Sequence, residues 1–205
     1  MCKSLEEINN IFAPKVVVTT SRRKSPLTNT FIKALSTVLG SPIIRRGASN
    51  LDEIAYIVKS EGYEGFLVVY TRLGNPSVIT LYKLTEEGYF SLFGRIFLLG
   101  VHINRRFTGF FNGVKIEMDC ESAGCENVYD FLIEYFRDWQ INPLKSPEIV
   151  PSIWIVKDLH VYRQKWLKEL RKDEKFKPAE IEVWDRKRRT LCLKMRIHHV
   201  WRHEQ

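Results

Sequence analysis

Apolar residues in the first part of the chain follow strand-like and helix-like periods in turn. Residues 15–20, KVVVTT, form an apolar run that predicts a strand buried on both faces. Ser25 and Pro26 then supply an N-cap and a first-turn proline, so we predict that a helix begins there. Its apolar residues recur at helical spacing until Gly40 ends it, and they are Phe31, Leu35 and Val38.

The rest of the first half is divided into short elements. The pattern predicts a short helix over 4–12 and, beyond Gly40, a strand over 42–44, a helix over 50–60 and strands over 66–71 and 78–84. The turn RLGNP joins the last two strands as an antiparallel hairpin. The order β-α-β-α-β-β, which leaves the short first helix aside, is typical of a mixed sheet with helices packed on it.

The second half ends with the same order of elements, without repeating the residues. Residues 88–118 are rich in strand signals, and the elements predicted after them are a helix over 127–139, a strand over 153–157, a basic amphipathic helix over 162–172 and strands over 179–184 and 190–200. We therefore predict an α/β fold of two tandem halves, each a mixed β-sheet with packed helices. The first half covers about 14–90 and the second about 91–205, within a single domain spanning 1–205.

The location of the charge narrows the class of partner. The chain has 205 residues, of which 44% are hydrophobic and 27% charged, which is typical of a globular protein with a large core. The net charge is +8, and residues 163–205 hold 14 Lys and Arg against 7 Asp and Glu. Positive charge that is concentrated in one segment is typical of proteins that bind a polyanion, either nucleic acid or an anionic membrane. The alternative is a solubilising surface.

No targeting or membrane segment is evident in the sequence. The richest apolar stretch, IFLLGV, has the length of a strand and is far shorter than a membrane span. Glu6 and Glu7 stand where a signal peptide would be basic and then apolar. We therefore expect a cytoplasmic protein without a membrane partner.

Two basic clusters follow predicted strands. Arg22–Lys24 come directly after the first strand, and the helix that Ser25 caps directs its free backbone N–H groups the same way. Arg45–Gly47 close the next strand, so their charges should emerge along the same edge, where the glycine lets the backbone approach a ligand. We predict a phosphate-binding edge; the alternative is a solvated turn.

Cations and aromatic residues are interleaved near the end of the sequence, as in Lys165-Trp166 and Trp201-Arg202. Cations engage phosphates and exposed rings stack on unpaired bases, so this pattern favours RNA among the polyanions. We expect Trp166 and Trp184 to be core residues and leave Trp201 open. The candidate RNA-binding residues, all at predicted strand ends or in a basic loop, are Arg22, Arg23, Lys24, Ser25, Arg45, Arg46, Gly47, Arg72, Arg186, Lys187, Arg188 and Arg189.

Patterns for catalysis and metal binding are sparse. Glu117, Asp119 and Glu121 alternate, so a strand would place them on one face, either as the solvent face of an edge strand or as a Mg²⁺ site of a nuclease. On a strand over 190–200, alternation points His198 and His199 to opposite faces, which argues against a shared metal. We predict that the protein is not an enzyme, with no cofactor and no catalytic or metal-binding residues.

The cysteines lack the spacing of a zinc site or of a disulfide framework. Cys120 and Cys125 are separated by four residues, and no second pair completes a zinc site. We expect free thiols, with a disulfide or zinc role for this pair as the alternative.

Three segments together resemble the Brix domain of ribosome-biogenesis proteins. They are VVVTTSRRKSPLTNTFIKAL, IIRRGASNLDEI and GFLVVYTRLGNPSVITLYKL. The match includes the Thr-Thr-Ser-Arg signature after the first strand, the Ser-Pro helix start, the Arg-Gly pair before the second helix and the Gly-Asn-Pro turn, in order over 15–85. DRKRRT stands where family members usually carry a Gly-Pro-Arg-like turn, which is a departure from the pattern.

This resemblance implies a fold and a function. Brix proteins contain two tandem halves, each similar to the anticodon-binding domain of class II aminoacyl-tRNA synthetases. They bind precursor rRNA and assist its processing and subunit assembly, without known catalysis. The short chain resembles a stand-alone archaeal version, which would be cytoplasmic; a eukaryotic version would be nucleolar. The implied partners are precursor rRNA and ribosomal or other assembly proteins. The alternatives are a protein–protein scaffold in pre-ribosomal particles and a metal-dependent RNA nuclease.

Overall fold

The structure is a computed structural model that describes residues 10–107, 109–142, 145–159 and 178–203. The helix predicted over 162–172, and Trp166 with it, lies outside these residues. Most of the helix predicted over 4–12 lies outside them as well, and its last two residues form a strand instead. Those residues, Ile11 and Phe12, pair with two strands of the second half.

The described elements are ten strands, three α-helices and a short 3₁₀ helix at Arg137–Trp139. The helices are α1 (Pro26–Leu39), α2 (Leu51–Ser60) and α3 (Ala123–Phe136). The strands are β1 (Ile11–Phe12), β2 (Val16–Thr20), β3 (Gly65–Arg72), β4 (Asn75–Leu84), β5 (Phe90–Ile103), β6 (Gly113–Asp119), β7 (Gln140–Ile141), β8 (Pro151–Asp158), β9 (Ala179–Trp184) and β10 (Leu191–Arg202).

All ten strands join one mixed sheet in the order β2-β3-β4-β5-β10-β9-β8-β6-β1-β7. We call the strands β2, β3, β4 and β5 the first side of the sheet, and the remaining six strands the second side. In the first side, β2 is parallel to β3, and β4 and β5 follow antiparallel. In the second side, β6 is parallel to β8, and β9 and β10 follow antiparallel. The antiparallel pairing of β5 with β10 joins the two sides. The α/β class predicted from the sequence is therefore confirmed.

Helices cover both faces of the sheet. On one face, α1 and α3 pack with both sides of the sheet into a large core that includes Val18, Phe31, Phe131 and Ile181. On the other face, α2 buries Ile54 and Val58 against the first side of the sheet. The cap predicted for α1 is confirmed, since Ser25 accepts a hydrogen bond from a backbone N–H of the helix. Asn50 caps α2 in the same way.

The strand predicted over 42–44 is reduced to a single bridge between Ile43 and Val18. The Val18 N–H donates to the Pro42 carbonyl at 3.0 Å, and the Ile44 N–H donates to the Val18 carbonyl at 3.1 Å. Pro42 has no N–H to donate, and the segment lies next to β2, beyond the edge of the sheet. The hydrogen bonding between this segment and β2 therefore does not extend into a strand.

Cys120 and Cys125 form a disulfide, so the expectation of free thiols is wrong for this pair. Ser122 caps α3 between them and turns the chain back, which places the two Cα atoms 5.5 Å apart, within the range that a disulfide needs. The bond joins the end of β6 to the first turn of α3. Cys192 is a free, buried thiol, and burial, the largest effect, together with nearby Asp185 raises its pKa to about 12.

None of the described helices is both long enough and apolar enough to cross a membrane.

Candidate nucleic-acid interface

The strands β2 and β3 end next to each other at the same end of the sheet. The two strands are parallel over Val16–Thr20 and Gly65–Val69, so their carboxyl ends lie side by side. The Ser21 N–H donates to the Val69 carbonyl at 2.9 Å and holds the first residue after β2 against β3. Arg22–Lys24 follow, all exposed, and none is ion-paired with another described residue.

Ser25 begins α1 directly behind these cations. Its Oγ accepts a hydrogen bond from the Thr28 N–H at 3.0 Å, so this oxygen is committed to the helix cap. The Thr28 hydroxyl lies 2.9 Å from that of Thr71 and ties the first turn of α1 to β3. No acidic residue lies in this turn, so the positive end of the helix dipole stays uncompensated.

The two predicted basic clusters meet in one groove. A cavity of about 460 Å³ between α1 and the segment after Pro42 is lined by Lys24 and Arg45, together with Lys33 of α1. Lys33 was not identified from the sequence, because only the position of α1 against the 43–45 segment brings it there. Three cations from separate parts of the chain therefore surround one concave surface.

The remaining members of these clusters flank the groove. Arg46 is half-buried, and its Nε–H donates to the Ser49 carbonyl at 3.0 Å. Gly47 has a left-handed backbone with φ of 55° and open space around its Cα. Arg72 ends β3 and is exposed beside a tight hairpin. We call Arg22–Lys24, Arg45, Arg46 and Arg72 the basic edge.

The predicted cations of the second half lie in the turn between β9 and β10. Asp185 organises this turn, since its carbonyl accepts the Arg188 N–H at 2.8 Å. The Arg188 guanidinium is bonded to the Glu117 carboxylate of β6 and is therefore not free. The other cations of the turn are exposed and without a described ion pair: Arg186, Lys187 and Arg189.

The structure does not bring this turn to the basic edge. β9 lies five strands from β2, roughly 24 Å away at about 4.8 Å per strand. Arg189 instead lines a second groove of about 510 Å³ with Arg105 and Arg106, which follow β5. The sequence contained a signal for these two arginines, because they are adjacent cations directly after a strand, like Arg45 and Arg46.

Part of the positive charge near the end of the sequence is neutralised within the sheet. Lys194 Nζ lies 3.0 Å from Glu180 and 2.7 Å from Glu182, and Arg196 Nε lies 3.5 Å from Glu180. Trp184, which we expected in the core, is half-buried. Counting cations along the sequence therefore overstates the free charge of these strands.

The predicted carboxylate trio does not form a metal site. Glu117 is bonded to Lys115 at 2.9 Å and to Arg188, and Glu121 lies beyond the end of β6, with its N–H donated to Asp158. Burial raises the pKa of Glu117, but the hydrogen bonds from the two cations outweigh it and lower the pKa below its usual value. Within the described ranges, no group of three or more His, Cys, Asp or Glu side chains is arranged to hold a metal ion.

A bulge in β10 changes the direction of the histidines. The register against β5 shifts between Arg196 and Ile197 and again between Ile197 and His199. The rings of His198 and His199 consequently contact each other, with centroids 4.7 Å apart. The prediction that they face opposite ways is wrong, because the bulge adds a residue and interrupts the alternation.

The strand order and the basic strand ends describe an α/β protein with helices on both faces of one large mixed sheet. A probable Brix domain-containing ribosomal biogenesis protein of Aeropyrum pernix is 39% identical to the chain over 68 residues. This match covers 33% of the chain and spans only 38% of the relative's length. No family model matches the chain.

Two solved structures share the fold. The crystal structure of a probable ribosomal biogenesis protein from Aeropyrum pernix superimposes with a TM-score of 0.67 at 18% identity, over 91% of this chain and 96% of that one. The archaeal Imp4-like protein Mil gives a TM-score of 0.58 at 21% identity, over 91% and 99% of the two chains. At these identities the two structures establish the fold alone. The resemblance to Brix proteins that the sequence motifs indicate is confirmed by the named relative.

Proposed function

We propose that this protein is an rRNA-binding ribosome-biogenesis factor of the cytoplasm, which binds precursor rRNA and assists its processing and subunit assembly. The observation that carries the proposal is the basic edge, whose exposed arginines and lysine have no ion pair among the described residues. Further support for this role comes from the relative, which is named as a probable Brix domain-containing ribosomal biogenesis protein, while the two solved structures support the fold.

The basic edge suits the RNA backbone better than it suits a small ligand. Its cations are spread along two strand ends and around an open groove, so several phosphates can each meet one cation. The first turn of α1, without an acidic residue, adds a positive dipole end at the same place. We assign Gly47 to close approach of the backbone, and Ser25 to the shape of this edge through its cap.

We also infer that the protein consists of two tandem halves, each similar to an anticodon-binding domain of class II aminoacyl-tRNA synthetases. The support is the repeated order of pairing, in which a parallel pair is followed by two antiparallel strands on each side of the sheet. The proposed halves cover about 14–90 and about 91–205, and β5 begins at the boundary between them.

A salt titration and a charge variant test RNA binding. With about five to eight phosphates neutralised on single-stranded RNA, log K should fall against log salt with a slope of roughly −3.5 to −5.5. Replacing Arg22, Arg23 and Lys24 by alanine should reduce the slope by about 2 and weaken binding to an rRNA fragment. The melting temperature should not change, because these side chains are exposed.

A matched control removes the same charge elsewhere. Lys59, Arg137 and Lys145 are exposed and lie outside the basic edge, so their alanine variant should bind RNA nearly as the wild type does. Equal losses in the two triple variants would mean that only net charge matters. A wild-type affinity that is absent or independent of salt would refute the proposal.

The carboxyl end of β6 favours a second candidate, a protein–protein scaffold in pre-ribosomal particles. This end corresponds to the basic edge in the other half, yet it presents Asp119, Glu121 and Glu126, all exposed. Carboxylates repel RNA and complement basic proteins. The scaffold function predicts tight binding to a basic assembly protein and negligible affinity for naked RNA.

A further inference from the structure

An exposed group of aromatic rings and arginines occupies the middle of the sheet. On the face that carries α2, the strands β5 and β10 present Arg95, Phe97, His199 and Trp201, with Arg196 beside them. The bulge in β10 turns His199 and Trp201 to this face. After the bulge, Val200 packs toward the large core and Arg202 reaches Glu134 of α3 at 3.3 Å, so His199 and Trp201 face the other way. We call these five residues the aromatic face.

The rings of this face are arranged in contacts that leave surface for a ligand. Phe97 and His199 are stacked, with centroids 4.3 Å apart and planes 13° from parallel, and His199 is the more exposed of the two. The Arg95 guanidinium lies 5.4 Å from the ring centroid of Trp201, which is 41% exposed. Large aromatic side chains gathered at an exposed site are unusual outside binding surfaces.

Arginines lie beside the rings. Arg95 is exposed and has no ion pair among the described residues, whereas Arg196 is exposed but paired with Glu180 at 3.5 Å. Stacking rings flanked by cations are the composition with which proteins bind unpaired nucleotides, whereas an apolar protein partner would not favour these charges.

The aromatic face and the basic edge lie along neighbouring rows of the sheet. Thr20 ends β2 opposite Val69, and the same row continues through Ile79 and Ile96 to Val200 of β10. Four strand spacings separate the ends of this row, roughly 19 Å at about 4.8 Å each. One extended RNA strand can therefore reach from the cations after β2 to the rings on β10.

We propose that the aromatic face binds unpaired bases of RNA by stacking, while the basic edge holds the phosphates of the same strand. This inference rests on the proposed function, since it takes RNA as the ligand. It adds a preference that the basic edge alone does not provide, because phosphates are present in duplex and single strand alike but only unpaired bases can stack on protein rings.

The experiment measures affinity by fluorescence anisotropy for two probes of equal length, a single-stranded oligoadenosine and an RNA duplex, at one salt concentration. Trp201→Ala should weaken single-strand binding roughly 5- to 100-fold and leave duplex binding unchanged. Trp201→Phe should retain most of the affinity, because it keeps a ring. Tyr56→Ala is the matched control, since Tyr56 is 75% exposed on α2, outside the aromatic face.

The outcomes separate this inference from the proposed function. A wild type that binds the single strand no better than the duplex, or a Trp201→Ala variant with unchanged single-strand affinity, overturns the aromatic face and leaves the basic edge intact. A wild type that binds neither probe overturns both. If Trp201→Ala fails to fold by circular dichroism, His199→Ala and Arg95→Ala replace it, and single-strand affinity unchanged in both refutes the inference.

Discussion

Two glycines with the same left-handed backbone show how surroundings decide the role of a residue. Gly40 ends α1 with φ of 65°, and a Cβ built on it would lie 2.2 Å from the Phe111 carbonyl oxygen. Gly47 has φ of 55°, and nothing lies within 4 Å of such a Cβ. Only Gly40 combines backbone strain with a clash against another backbone, so only there is a side chain doubly excluded.

Gly40→Ala should therefore destabilise the protein far more than Gly47→Ala. The left-handed conformation costs about 1–2 kcal/mol at either position, and the overlap at Gly40 adds roughly 1–3 kcal/mol. Chemical denaturation of both variants measures the difference in the free energy of unfolding. Equal losses would mean that the loop around Phe111 moves aside without cost.

At the scale of elements, β8, β9 and β10 are linked by a ladder of buried carboxylates and lysines. The Glu182 carboxylate is largely buried and lies 2.8 Å from Lys157 Nζ and 2.7 Å from Lys194 Nζ. Burial raises the pKa of Glu182, but the hydrogen bonds and charges of the two lysines outweigh it and lower the pKa below its usual 4.5. A carboxyl whose pKa is lower in the folded state than in the unfolded state stabilises the fold at pH values above its unfolded-state pKa. This stabilisation is lost as the pH falls through the folded-state pKa.

Glu182→Gln should lower the free energy of unfolding by about 1–3 kcal/mol at pH 7, since it removes the shorter of the two carboxylate contacts of each lysine and leaves only the contact with Glu180. Because the wild type also loses this interaction in acid, the two proteins should differ less at pH 3. Urea unfolding at both pH values measures this, with Glu86→Gln, an exposed glutamate, as the control. A difference of the same size at both pH values would show that ionisation of Glu182 does not matter.

The sequence predicts an element well when the interactions that determine it lie within that element, and poorly when they involve distant segments. The bounds of α1 follow from Ser25, Pro26 and Gly40, and β9 was predicted over the residues at which it is found, because caps and apolar periods lie within each element. The bulge at His198 and the partners of β1 could not be predicted, because both depend on strands far away in the sequence. For the same reason, the basic edge was predicted from strand ends, whereas Lys33 and the aromatic face depend on packing between distant segments.

At the scale of the whole molecule, the pairing of β5 with β10 makes one sheet out of both sides. The pairing extends from Leu193 opposite Ile103 to Arg202 opposite Gly94, with two register shifts. The large core contains residues of α1 and of α3 together. Neither side can lose its packing without exposing apolar surface of the other, so we expect the molecule to unfold as one unit.

Val17→Ala tests this expectation. Val17 is fully buried beneath α2, and its truncation should cost about 2 kcal/mol. All five tryptophans lie at or beyond residue 139, so their fluorescence reports mainly on the second side, whereas circular dichroism reports on both. Trp139 and Trp201 also contact the first side, through Glu64 and Arg95 respectively. The two midpoints should coincide and should move together in the variant. A shift seen by circular dichroism alone would show that the sides unfold separately.

The pairing of β5 with β10 also means that β5 has to wait for its partner strand during translation. β5 is 14 residues long, and 87 residues lie between its end at Ile103 and the start of β10 at Leu191. While the ribosome is still making that stretch, β5 exposes an unpaired edge to neighbouring chains, and such edges favour aggregation. Substitutions that delay the docking of β10 should therefore reduce the yield of soluble protein more than its final stability would indicate.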